Sequence, residues 1–185
     1  MKFGIILMVI MSASSAFATE DGWETTLTFY RAASQVSGNT IGNSTGVQLG
    51  DDFKVGYHWS GFYTGVVYST YSITSTAAGV TVVTDNRPAP GITIGYRNSG
   101  FVADLSYFFS TTDTRPVLNL TGGTGIGVDL GYNFMLSSSF FMGFELSYKN
   151  FSFSTVTDPT GVIGVITETN VVTQTYPQIT LGFSF

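Results

Sequence analysis

The chain has 185 residues, no cysteine, 10% charged and 15% aromatic side chains, 22 glycines and a formal net charge of −5. That excludes a disulfide scaffold and a thiolate metal site, and it leaves no basic patch for phosphate contact, so nucleic acid is not an expected partner. Few charges beside many aromatics is an odd balance for a surface that meets water.

Residues 1–18 read as a secretory signal peptide: Lys2 supplies the charge, residues 3–11 are apolar but for Gly4, and Ala16-Phe17-Ala18 offers a small-x-small cleavage site. The run is too short to span a bilayer, and nothing later reaches the roughly 18 consecutive apolar residues of a transmembrane helix. Losing Lys2 with the leader moves the net charge from −5 to −6, and one domain is expected over residues 19–185.

That domain alternates with period two, the pattern of strands whose faces see different surroundings. A first strand over 23–33 sends Trp23, Thr25, Leu27 and Phe29 to one face and Glu24, Thr26, Thr28 and Tyr30 to the other. After a polar connection at 34–47, a second strand near 49–59 puts Phe53, Val55, Tyr57 and Trp59 against Lys54, Gly56 and His58, and Ser60-Gly61 makes a tight turn. Pairing across that turn gives the third strand, 62–73, the outward set Phe62, Thr64, Val66 and Tyr68 and the inward set Tyr63, Gly65, Val67 and Ser69. The stretch 74–90, with Asp85, Arg87, Pro88 and Pro90, reads as a long connection. Strands four (91–97) and five (101–111) follow around Asn98-Ser99-Gly100, with Ile92, Ile94, Tyr96, Phe101, Ala103, Leu105, Tyr107 and Phe109 outward. A third long connection, 112–123, leads to strand six, 124–136, with Ile126, Val128, Leu130, Tyr132 and Phe134 opposite Gly127, Asp129, Gly131 and Asn133. Beyond Ser137-Ser138-Ser139, strand seven, 140–153, opposes Phe140, Met142, Phe144, Leu146 and Tyr148 to Gly143, Glu145, Ser147 and Lys149. A last long connection, 154–170, precedes the closing strand, 171–185.

Eight strands joined alternately by long and very short connections fit an all-β, eight-stranded antiparallel up-and-down transmembrane β-barrel. Its termini and three short turns would lie in the periplasm and four loops outside. Aromatic residues crowd the strand ends of the outward face, Trp23, Tyr57, Trp59, Tyr96 and Phe134 toward one rim and Tyr68, Tyr107 and Tyr148 toward the other, as interfacial girdles do.

In the last eight residues Ile179, Leu181, Phe183 and Phe185 alternate with Gln178, Thr180, Gly182 and Ser184, ending on an aromatic residue. This ending resembles the assembly signal of bacterial outer-membrane β-barrels, and Leu181, Phe183 and Phe185 are the positions the resemblance implies the insertion machinery reads. Thr180 stands where many members have glycine. The whole domain resembles, at the level of topology, the small eight-stranded barrels of the OmpX and OmpA transmembrane-domain type. That implies an outer-membrane location, a monomer, and lipid and lipopolysaccharide as surroundings.

Charge placement follows the same alternation. Glu24, Lys54, Arg97, Asp104, Asp129, Glu145 and Lys149 share the inward parity with His58, and Arg31 alone falls on the outward one, near a strand end. A Lys or Arg facing lipid at the midplane costs about 2 to 4 kcal/mol, and burial inside is cheaper only if the charge is paired. Diagonal neighbours across adjacent strands are Asp129 with Lys149 and Arg97 with Asp104. These side chains are expected to fill a narrow lumen as a polar network; the sharper reading is an ion path.

The sole histidine, His58, lies at the periplasmic end, far from an outer-leaflet substrate, and is expected to hydrogen-bond in the lumen rather than act as a catalytic base. Asp51-Asp52 and the loop acids Asp85, Asp113 and Asp158 have no metal-ligand spacing, so neither metal nor cofactor is expected. Residues 122–127 resemble a glycine-rich phosphate loop, but a strand follows where a helix is needed. Residues 79–84 and 161–166 are apolar and β-prone; they either prolong their strands as protruding hairpins or offer a sheet edge to a protein partner. The expected function is a structural or surface-interaction role without catalysis, with a small channel for ions or hydrophobic solutes as the alternative.

Overall fold

The computed structural model describes residues 21–36, 44–77, 80–115, 119–157 and 163–185; the leader expected over 1–18 and Asp158 lie outside them. Eight strands, β1 (Gly22–Val36), β2 (Ser44–Trp59), β3 (Phe62–Ala77), β4 (Val80–Asn98), β5 (Phe101–Thr114), β6 (Asn119–Met135), β7 (Phe140–Thr157) and β8 (Ile163–Ser184), form one closed antiparallel barrel in chain order. Closure runs from Glu24↔Ser184 to Phe29↔Ile179, and Trp23 and Phe185 exchange two backbone hydrogen bonds at 2.8 and 2.9 Å.

The alternation read from the sequence holds on every strand, β3 included, and its sense is inside out relative to a soluble barrel. Leu130 and Phe144 are 49% and 57% exposed on the outer surface, whereas Lys54, Asp129 and Lys149 are 1% exposed within. Two short turns owe their form to left-handed residues. Ser60-Gly61 (φ 47° and 90°) and Ser99-Gly100 (φ 51° and 86°) have positive φ at both central positions, the type I′ geometry whose twist suits a two-residue hairpin. Between β6 and β7 the connection is longer, and the Ser137 hydroxyl accepts from the Phe140 N–H at 3.0 Å. Glycine also makes room for rings: a β-carbon on Gly182 would sit 2.7 Å from Cε1 of the inward Phe141.

The long connections are a correction. Strands run on through half of 34–47 and most of 74–90, 112–123 and 154–170, so that β8 alone has 22 residues, about twice the 9 to 11 that cross a bilayer. Ser, Thr, Asn and Gly have the composition of a loop, and the polar/apolar contrast that marks a strand fades there. The described parts of the two apolar stretches, 80–84 and 163–166, accordingly belong to β4 and β8.

Pro88 and Pro90 were the strongest loop signals, and they sit inside β4. Both stay in register with β3, opposite Thr70 and Tyr68. The β4–β5 ladder instead jumps from Asn86↔Thr114 to Gly91↔Phe108, and Ser110 takes φ 54° in the irregular stretch of β5. Prolines are tolerated where a bulge relieves them of donating.

Candidate functional site

Because β-strand side chains alternate, each strand delivers every second residue to the lumen, and the lumen is layered along its axis. At the end bearing the short turns is a vestibule of about 610 Å³, lined among others by Glu24, His58, Arg97, Asn133 and Phe141. Arg97 ion-pairs with Glu24, donates to Asp104 at 2.9 Å, and stacks over the Tyr63 ring at 3.6 Å.

Deeper in, the Lys54 ammonium donates to Asp104 at 2.7 Å and Asp129 at 2.9 Å, with Glu145 at 3.7 Å. Lys149 ion-pairs with Asp52 and donates to Ser69 at 2.8 Å. In these layers the carboxyl groups of Glu24, Asp52, Asp104, Asp129 and Glu145 outnumber the cations Lys54, Arg97 and Lys149. Neutral donors make up part of the difference: Thr180 donates to Glu145 at 2.7 Å, and Gln178 to Asp52 at 3.4 Å. Thr180, the one departure from the expected assembly signal, is fully buried and satisfies a carboxylate.

Above the ions the lumen is filled by apolar side chains. Val67, Ala89, Phe108, Leu120, Phe151 and Phe153 form a buried cluster, with the Phe108 and Phe151 rings 5.3 Å apart. A second ionic group lies beyond the outer apolar belt: Arg87 contacts Asp113 at 2.9 Å and Asp85 at 3.5 Å, and Arg115 donates to Asp113 at 2.7 Å. Burial, then a hydrogen bond shared with Asp113, pushes Asp85 up to about 7. Burial acts in the same sense on Asp113, but the hydrogen bonds with Asp85 and Arg115 and the Arg87 charge outweigh it and hold Asp113 at about 2.

All eight residues expected in the lumen are there and buried: Glu24, Lys54, His58, Arg97, Asp104, Asp129, Glu145 and Lys149. Arg97 and Asp104 pair as expected, but Asp129 and Lys149 do not. Reasoning from adjacent strands overlooked that a long side chain crosses so narrow a lumen, so Lys54 on β2 meets acids on β5, β6 and β7, while Lys149 on β7 meets Asp52 on β2. Of the His58 ring, the buried Nε2 has no partner among the described residues. Asp52, Arg87 and Arg115 were missed as network members. Asp52 carries the parity of Lys54, and the repeated Asp-x-Arg of 85–87 and 113–115 places acid and base on one strand face. Asp85 and Asp113 do converge, but on two guanidinium groups rather than on a cation site; among the described residues no group of three acidic, His or Cys side chains could hold a metal ion.

No family model and no curated protein sequence matches the chain. Among solved structures, it is similar to the β-domain of the Bordetella autotransporter BrkA, at 16% identity and a TM-score of 0.35, covering 86% of this chain and 68% of that one. It is also similar to the translocator domain of the autotransporter NalP from Neisseria meningitidis, at 14% identity and a TM-score of 0.32, covering 95% and 65%. The eight-strand closure rests on this chain's own ladders.

Proposed function

We propose that this chain is an integral β-barrel of a bacterial outer membrane, monomeric and without catalysis, with a plugged lumen and an interaction surface on the sheet that rises beyond the lipid. The observation that carries the reading is the reversed exposure. Among the described residues twenty-five large apolar side chains are exposed, on all eight strands, while the ionic groups of the lower lumen are buried. Soluble monomers rarely expose contiguous apolar patches beyond a few hundred Å², whereas a lipid-facing belt requires one.

The plug follows from side-chain packing: an eight-stranded barrel has interior enough for side chains and little else, and here ionic and aromatic layers fill it in succession. Lipid and lipopolysaccharide are the proposed surroundings, and Leu181, Phe183 and Phe185, which all face outward, the segment presented to the insertion machinery. The channel alternative draws on the vestibule, whose open end stops at the Arg97 and Lys54 layers.

The test combines three readings, two on purified protein and one on intact cells. The unboiled form should run faster than the boiled one on a gel, protease added to intact cells should cut only on the side of the strand extensions, and planar bilayers should show no current steps. Sustained single-channel conductance would overturn the plugged lumen, and a protein that stays water-soluble without detergent would overturn the membrane assignment.

A further inference from the structure

The barrel wall is uneven in one place. β1 is laddered to β2 through fifteen residue pairs and β8 to β7 through seventeen, but β1 and β8 meet through six, ending at Phe29↔Ile179. Both strands continue past that point, β1 to Val36 and β8 back to Ile163, without a ladder between them. Pro177 stands two residues beyond the last pair; it keeps its place opposite Leu146 of β7 but has no N–H to offer β1.

The height of this cleft matters. Pro177 and Thr175 lie opposite Leu146 and Tyr148, both lipid-belt residues exposed on the outer surface. The cleft therefore runs along the outer half of the apolar belt, where an unpaired backbone edge is costly unless something meets it. Behind the gap, on the lumen side, the half-buried Tyr30 stacks on the buried Tyr176 (4.9 Å, 24° between planes), with Tyr71 at 6.4 Å from Tyr176. At its rim is Arg31, exposed, on the lipid-facing parity, and ion-paired with no described residue.

We propose that the β1–β8 cleft is a lateral binding site for a long-chain fatty acid taken from the outer leaflet. The carboxylate lies on the Arg31 guanidinium and the alkyl chain runs past the half-buried Tyr30 at the edge of the cleft. An acceptor-only head suits this rim, because the Arg31 guanidinium offers donors alone, whereas the strand edges carry both N–H and C=O groups. One interrupted ladder gives room for one chain, which favours a single-chain amphiphile over a diacyl lipid. The inference rests on the membrane reading above but is independent of whether the lumen conducts.

The test is photo-crosslinking in nanodiscs with three probes: a diazirine-bearing palmitate, the alcohol of the same chain length, and a diazirine-bearing diacyl phosphatidylglycerol. Insertion is first verified by the faster mobility of unboiled protein, so failure of the membrane reading registers separately. Palmitate label should concentrate on Tyr30 and Arg31 relative to the shallow apolar notch over Ala103 on the far wall, which reports ordinary lipid contact. Arg31→Gln should lower that labelling about tenfold, the size of one charge-assisted hydrogen bond, with folding unchanged. Pro177→Val, which restores an N–H and allows the ladder to lengthen, should lower it as well. Labelling spread over the belt in proportion to exposure overturns the proposal, as does equal labelling of the cleft by the alcohol or by the diacyl lipid. A cross-linked dimer joined through β1 and β8 would assign the edge to a second copy and overturn it too.

Discussion

Lys54→Met is the most informative single perturbation, because it removes a charge and keeps most of the stem. At an effective dielectric of about 20, the contacts to Asp104, Asp129 and Glu145 at 2.7, 2.9 and 3.7 Å correspond to gross attractions of about 6, 6 and 4 kcal/mol. Dehydrating the four ions offsets most of that, at several kcal/mol each, so the network's net worth is small. Deletion is another matter. It leaves three buried carboxyl groups converging, with Arg97 reaching only Asp104, and breaking such a site typically costs about 3–5 kcal/mol. The assay is urea unfolding in lipid vesicles, followed by the fluorescence of Trp23 and Trp59 and by gel mobility. The deficit should narrow on acidification as the stranded carboxyl groups take up protons, and Asp129→Asn in the same chain should recover part of it. A loss below about 1 kcal/mol, the range of solvated surface pairs, would refute a dry lumen.

Three further outcomes are expected. Gly182→Ala should destabilise by about 1–3 kcal/mol through collision with the Phe141 ring, and Phe141→Leu should restore stability in the double variant; no rescue would place the strain elsewhere. Phe151→Ala should cost about 3–5 kcal/mol by opening a cavity beside Phe108 without producing current in planar bilayers, since the ionic layers still close the lumen. The outer cluster should weaken as pH rises. Asp85 holds its proton up to about 7, so the stabilisation is fully present below the ordinary carboxyl range near 4 and is lost on passing 7. Discounted by half for its partial solvation, the change is about 2 kcal/mol. Amide exchange of residues 85–87 and 113–115 between pH 5 and 8 should report it, and Asp85→Asn should flatten the profile.

The fold was legible because the outer surface and the lumen carry opposite side chains on alternate residues. Phe144 beside Glu145, or Leu130 beside Asp129, declares its face with no reference to a partner strand. The short turns were equally plain, since Ser60-Gly61 and Ser99-Gly100 stand where left-handed backbone is needed. Legibility faded where the apolar belt ends. A strand stretch such as 44–48, Ser-Thr-Gly-Val-Gln, has the composition of a loop, and prolines 88 and 90 strengthen that impression although a local bulge accommodates them. Within the site, parity identified which side chains enter the lumen but not whom they meet. Pairing across the lumen depends on side-chain reach and on the stagger of the strands around the cylinder, neither of which neighbouring-strand register contains. For the same reason the Asp52–Lys149 pair and the β1–β8 cleft became evident only from the coordinates.

The ion pairs of the lower lumen act like spokes rather than hoops. Lys54 reaches residues 50 and 75 positions away in the chain, and Lys149 one 97 positions away, across the bore instead of around the rim. A half-curled sheet cannot make such contacts, so nothing rewards the nascent protein for partial rolling, and the final curl and the setting of the spokes belong to one late, cooperative step. Closure of the barrel should therefore show no long-lived open intermediate, and a protein missing one spoke should close slowly even where its finished cylinder endures.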